Sequence, residues 1–408
     1  MKKLKQASCG AVAVLMAACA LFAPTGIGMA KSIHPAEAPR ASQAPEIMLL
    51  EIYKDLRASQ LQEAMAKADV LVQAYPNFRV GHLIRGDLLL MHTQPVTQLG
   101  AGINAHSDKL KELRDEARVR LQSLMARPDP ELAPRSVLQL RADMRHVLVV
   151  DAAQSRLYVY QNSNGQLKFV TDYYISQGKL GVDKFREGDQ KTPLGVYYIT
   201  GRVSGPKLPD FYGASALHIN YPNEWDRLNG RSGGGIFLHG TPPDSYSRPP
   251  LASDGCVVLT NDDLRKLEGT VDIGRTPVVI ADRQEFISKA KWDAERFTAN
   301  RLVESWRADL VSADSKRLLK NYSGKFKSAN GEDLMTWYEK DMRALASVVG
   351  LSVTLSEVTI FRYPSREDML VSTFTIESKI GKNRSTQRKR QYWAREGSEW
   401  KIIFESMI

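Results

Sequence analysis

The chain has 408 residues, too many for one ordinary domain, and its 43% apolar and 25% charged side chains are those of folded rather than disordered protein. A formal net charge of +10 suits an anionic polymer as partner but equally describes a generic basic surface. Past the N-terminus no apolar run reaches the length of a bilayer span, so no transmembrane segment is expected there.

Lys2, Lys3 and Lys5 precede the apolar stretch Gly10 to Ala23, and Gly28-Met29-Ala30 offers small residues for cleavage after Ala30. Residues 1–30 therefore read as a secretory signal, and the expected location is periplasmic or otherwise extracytoplasmic. Met16-Ala17-Ala18-Cys19 loosely resembles a lipobox, with Met a poor first residue, so a lipid anchor at Cys19 is the lesser alternative. Of the three cysteines, Cys9 and Cys19 fall in the signal. Processing would leave Cys256 as a lone thiol without a disulfide partner. Export also argues against nucleic acid as a partner.

Residues 31–45, rich in Ala and Pro, read as a disordered tether. Over 46–127, Leu61, Ala64, Ala68, Leu71 and Tyr75 recur at helical spacing until Pro76, and Val80, Leu83, Gly86 and Leu90 mark a second helix. Ala64, Pro76 and Gly86 match part of a tetratricopeptide helix pair, so a helical, partly TPR-like domain is expected, as a spacer or a peptide-binding module. "ARPDPELAP" breaks the pattern, and period two takes over. "HVLVVDAAQSRLYVYQ" reads as an edge-forming β-hairpin, and "LKFVTDYYIS", "GVYYITGR", "GIFLHG" and "TPVVIAD" continue the strands to about Asp282. Heavy glycine and proline punctuation suits a β-sandwich or barrel. Residues 284–301 read as a connecting helix. Helices over 302–312 and 334–349 then precede four long strands, the pattern of an α+β cone. The basic "KNRSTQRKR" among them reads as a solvated hairpin turn, and Trp306, Trp337, Trp393 and Trp400 as core or cone-lining residues.

The chemistry concentrates in "FLHGTPPDSYSRPPLASDGCVVL", Phe237 to Leu259. Gly255 before Cys256 lets a carbonyl approach the backbone, and lets the Gly255 and Cys256 N–H groups converge as an oxyanion hole. An ordinary thiol is only a few per cent ionised at neutral pH and needs a base. His239 ends an apolar strand, and Gly240 turns the chain directly after it. His218 and His146 share the β region without a glycine-rich turn. From the residues alone, a Cys256 nucleophile with a His239 base and a buried inert cysteine both stand. No spacing of metal ligands, Walker A motif or dinucleotide fingerprint is present, so neither metal nor cofactor is expected.

His239-Gly240 followed by Ser253-Asp254-Gly255-Cys256 resembles the signature of the L,D-transpeptidase (YkuD-type) family. "SQGKLG", "EGDQKTPLGVYYIT" and "TPVVIAD" resemble its flanking segments, and the resemblance covers residues 145–282. It implies a β-rich sandwich core, with Cys256 as nucleophile and His239 as base and later acid. It further implies Gly255 and Cys256 as oxyanion donors, Ser253 positioning the site, Gly240 at the substrate-binding site, and peptidoglycan stem peptides as substrate. Many members carry an arginine where this chain has Val258. Arg248, or Arg227 and Arg231 in "PNEWDRLNGRSGGG", are the candidate substitutes for binding substrate. Residues 297–408 resemble the NTF2-like domain that accompanies some of these enzymes.

The expected protein is thus a multidomain α+β exported enzyme that transfers an acyl group through a thioester on Cys256. The alternatives are a wall-directed cysteine amidase or L,D-carboxypeptidase using water, and a non-catalytic wall-binding scaffold. A protein partner could bind the helical or the NTF2-like region.

Overall fold

The computed structural model describes residues 44–101, 107–366 and 368–408. The expected signal, the Cys19 anchor and nearly all of the tether lie outside them. No helix among the described residues is long and apolar enough to cross a membrane.

Helices α1 (Pro45–Arg57), α2 (Leu61–Ala74), α3 (Arg79–Met91) and α4 (Ser107–Met125) form the N-terminal part. Pro45 sits in the first turn of α1, where its missing N–H costs nothing. Leu49, Ile52, Ala64, Ala68, Leu71, Phe78 and Val80 build the core between these helices. The glycine at their close approach is Gly81, whose added Cβ would meet Leu71 at 3.3 Å, and not the Gly86 of the repeat-like pattern, which has open space around it.

The connector is not a simple break. Strand β1 (Ala133–Pro134) pairs with β13 (Phe286–Ile287), and β2 (Val137–Gln139) joins the C-terminal sheet beside β15 (Ser352–Arg362). The chain then builds β3 (His146–Asp151), β4 (Arg156–Ser163), β5 (Gln166–Tyr174), the short β6 (Gln177–Gly178), β7 (Gly195–Ser204) and β8 (Ser215–Ile219). After helix α5 (Glu224–Leu228) come β9 (Phe237–His239), β10 (Leu251–Ser253) and β11 (Val257–Val258). Helix α6 (Asn261–Glu268) leads to β12 (Pro277–Ala281). Eight of these strands form one mixed sheet in the order β11-β9-β8-β7-β12-β3-β4-β5. The β3–β4 hairpin is therefore interior, with β5 on the edge. Parallel pairing of β3 with β12, strands distant in sequence, takes the place that local pattern gave to solvent.

Alternation along these strands fills two cores. Leu148, Val150, Leu157, Val159, Val278 and Ile280 point to one face, against Leu264 and Leu267 of α6. Val147, Val149, Tyr158, Tyr160 and Val279 point to the other, where they meet Phe361, Val371, Tyr392 and Phe404 of the C-terminal sheet. The eight-stranded sheet and the C-terminal sheet thus share a core. Helix α5 is keyed to it as well: Trp225 stacks on Tyr392 at 4.9 Å, and Glu224 accepts from Arg390 at 2.6 Å.

Helix α7 (Lys289–Val311) is one continuous element where two were expected, its N-cap Ser288 accepting from the Lys291 N–H. Strand β14 (Tyr322–Ser328) follows, then broken helical turns over 334–346, β15, β16 (Met369–Ile380), β17 (Asn383–Glu396) and β18 (Glu399–Met407). The sheet order β14-β18-β17-β16-β15-β2 curls round Trp306, Trp337 and Trp393, all buried, with Trp400 half-buried beside them. Most of "KNRSTQRKR" is strand rather than turn. Lys389 and Arg390 are buried because each has a carboxylate to meet, Glu405 and Glu224 respectively.

Candidate active site

Strands β9 and β11 run parallel, with Val257 beside Leu238 and Val258 beside His239. Leu238 and Val257 enter the core, so His239, Val258 and, two residues back, Cys256 face the opposite side. Topology thereby brings the histidine and the cysteine to one face across the long loop that separates them in sequence.

The turn that carries Cys256 is built to hold it. Ser253 Oγ donates to the Cys256 carbonyl at 2.6 Å and accepts from the Gly255 N–H at 3.1 Å. Gly255 has φ +127°, and a Cβ there would stand 2.6 Å from the Lys191 carbonyl, so only glycine fits. Use of the Gly255 N–H inside the turn corrects one expectation: it is not free as an oxyanion donor. Among the described residues no hydrogen bond engages the Cys256 N–H, which remains available. Gly240 is equally constrained, since its added Cβ would lie 2.0 Å from Asn261 Oδ1.

Cys256 Sγ is half-buried over the β9 backbone, 3.6 Å from the Gly235 carbonyl and facing the Phe237 N–H. Burial pushes its pKa up to about 11, against the pull of the Phe237 N–H and of the Arg248 and Lys184 charges. His239 is fully buried, its ring 5.0 Å from that of Tyr212 and 5.8 Å from that of Phe211. Desolvation lowers its pKa to about 4, with Arg248 lowering it further and the carbonyl of Gly240 opposing. His239 Nδ1 lies 2.7 Å from that carbonyl, which can only accept, so Nδ1 carries the proton. Nε2 then holds the lone pair, and it is buried without a hydrogen-bond partner among the described residues. That lone pair is thus free to take a proton. At neutral pH the resting pair is thiol plus neutral imidazole, not thiolate plus imidazolium.

The arginines separate. Arg248 donates to the Phe211 carbonyl at 3.0 Å, lies over the Phe211 ring at 4.1 Å, and its charge reaches both Cys256 and His239. Arg227 donates to the Pro222 carbonyl at 2.5 Å. Arg231 binds Asp183 at 2.7 Å and the Lys184 carbonyl. Neither is among the charges acting on Cys256. Val258 is buried beside His239, where an arginine would have to be fully desolvated, whereas Arg248 approaches from the loop and is only half-buried.

Sequence reasoning missed several participants. Lys184 is a buried cation within electrostatic range of Cys256, held at 2.8 Å from Asp189. Asp189 also accepts from the Phe185, Arg186 and Lys191 N–H groups and so shapes the loop whose Lys191 carbonyl abuts Gly255. The one available signal was "EGDQKTPLG" itself, read only as a signature. Phe211 and Tyr212 carried no signal at all. A cavity of about 820 Å³ lies elsewhere, between α7 and the C-terminal sheet, lined by Phe297, Arg301 and Trp400 among others.

A mixed β-sheet that presents a cysteine and a histidine on neighbouring strands, backed by a cone of the NTF2 type, defines the class of fold. Comparison with known proteins supplies the family. Residues 145–280 match the L,D-transpeptidase catalytic domain (YkuD), and residues 298–406 match the Cds6 C-terminal NTF2-like domain. The structure of Bd1075 from Bdellovibrio bacteriovorus is similar at 32% identity and TM-score 0.60, over 68% of this chain and 98% of that one. The chain belongs to the YkuD L,D-transpeptidase family. The helical cell shape determining protein Pgp2 of Campylobacter jejuni shares the fold at 23% identity and TM-score 0.57, over 66% of this chain and 94% of its own. YafK of Escherichia coli (strain K12), provisionally named an L,D-transpeptidase, is 29% identical over 113 residues, 27% of this chain and 41% of that protein.

Proposed function

We propose that the chain is an exported cell-wall enzyme that transfers an acyl group of a peptidoglycan stem peptide through a thioester on Cys256. The observation that carries this reading is the buried Nε2 of His239, without a hydrogen-bond partner among the described residues and on the same face of the sheet as the Cys256 thiol. Family membership supports the substrate class, and the basic and apolar segments of residues 1–30 support export.

In the first step Cys256 Sγ bonds to the carbonyl carbon at the L-centre of a diamino acid, and the thiol proton passes to His239 Nε2. Negative charge develops on the carbonyl oxygen, where the Cys256 N–H stabilises it. Collapse of the tetrahedral adduct breaks the C–N bond, and imidazolium returns its proton to the departing D-Ala amine. An amine of a second stem then attacks the thioester, His239 takes its proton, and Cys256 leaves as the thiol. Burial of both groups in neutral form couples proton transfer to attack. Arg248 is the cation for a substrate carboxylate.

Intact-mass spectrometry with a tetrapeptide stem and an amine acceptor tests the proposal. The expected result is an adduct on Cys256 that passes to the amine, and none in Cys256→Ala. An adduct released only to water makes the enzyme a hydrolase. Turnover retained in Cys256→Ala would remove the mechanism.

A further inference from the structure

Helices α1 to α4 contribute no group to the reaction, yet they and the cluster they build hold three consecutive residues of the loop between His239 and Cys256. The ring of Tyr246 stands edge-on to Tyr75 at 5.4 Å and to Phe78 at 5.1 Å. Ser247 Oγ donates to Glu116 Oε1 at 2.6 Å. The Arg248 carbonyl accepts from the Tyr174 hydroxyl at 2.9 Å, and the Tyr174 ring packs 3.6 Å from the Arg120 guanidinium.

Glu116 and Arg120 belong to an ionic cluster that is buried except for Arg127 at its exposed end. Arg120 bonds Glu116 at 2.9 Å and Glu46 at 2.6 Å. Glu46 accepts from Arg156 at 2.8 Å, and Asp172 pairs with Arg156 at 3.4 Å and with Arg127 at 2.7 Å. Three guanidinium groups thus face three carboxylates, and no charge in the cluster is left over. Close charge pairs held away from water tolerate little displacement, so they fix position more than they add stability. From Arg248 the contacts continue to the base: Phe211 lies beneath its guanidinium and against the His239 ring.

We infer that the helical region is a positioning module for the catalytic loop, with Glu116, Arg120, Tyr246 and Ser247 as positioning residues that hold the Arg248 charge at Cys256. The inference rests on Arg248 as the substrate cation in the proposed function. A module that merely anchored the helices would leave the placement of that charge indifferent to their contacts.

The test compares alkylation of the full chain by iodoacetate, an anion, and by iodoacetamide, its neutral counterpart. Their rate ratio reads the Arg248 charge at Cys256 without any stem peptide, so it stands even if turnover of that substrate fails. Arg248→Ala should lower the ratio about fivefold, the size of one unit-charge interaction at about 4 Å through water. Ser247→Ala and Tyr246→Ala should each lower it at least about twofold, with the iodoacetamide rate little changed, and Ser247→Thr should restore it. Ser247→Ala removes a single atom, which keeps the test sound should Tyr246→Ala fold poorly. A ratio lowered by Arg248→Ala but unmoved by Ser247→Ala and Tyr246→Ala overturns the positioning role. A ratio unmoved by Arg248→Ala overturns the placement of its charge as well.

Discussion

Thiol alkylation tests the neutral resting pair most directly. A thiol with a pKa of about 11 is roughly one part in ten thousand ionised at pH 7, against about three parts in a hundred for an ordinary thiol at about 8.5. That difference of about 300-fold is partly offset, because a more basic thiolate is about tenfold more nucleophilic over the same interval. Iodoacetamide should therefore modify Cys256 about 30-fold more slowly than a free thiol at pH 7. Its rate should rise nearly tenfold per pH unit up to about pH 10. The measurement is intact-mass kinetics between pH 5 and 11. A plateau between pH 5 and 8 at or above the free-thiol rate would mean a preformed thiolate–imidazolium pair. Burial would then not be what holds the pair neutral.

His239 should leave its own trace on stability. Its folded pKa of about 4 lies below the ordinary 6.5, so its contribution is present above pH 6.5 and is lost as pH falls toward 4, about 3 kcal/mol in all. Urea titrations at pH 7 and 4.5 should show the wild type losing about that much more than His239→Gln, whereas equal losses would place the imidazole in water. Gly255→Ala, at φ +127° with Lys191 in the way, should reduce acylation by about 100-fold or more and stability by about 2 kcal/mol, read by intact mass and thermal melting. Acylation within about tenfold of wild type would show that the turn can move. Phe404→Ala, in the core common to the two sheets, should cost about 3–5 kcal/mol and destabilise both sheets together in hydrogen exchange. Loss confined to the C-terminal sheet would mean the shared core does not couple them.

The sequence by itself determined the local chemistry. Ser253-Asp254-Gly255-Cys256 already specifies a turn whose hydroxyl bonds its own backbone and whose glycine admits a close carbonyl, because those constraints act over a few residues. Period-two strands and the helical spacing around Leu61 to Tyr75 were legible for the same reason. Tertiary structure decided what depends on partners distant along the chain. Parallel pairing with β12 made the β3–β4 hairpin interior, and the carboxylates of Glu224 and Glu405 made Arg390 and Lys389 buried strand residues instead of solvated ones. Among three candidate arginines, equal in sequence, only the packing of Phe211 and the fixed loop set Arg248 near the thiol while Asp183 and Pro222 held the others. Charge and hydrogen bonding act through space over a few ångströms, and composition carries no record of which groups the fold will bring that close.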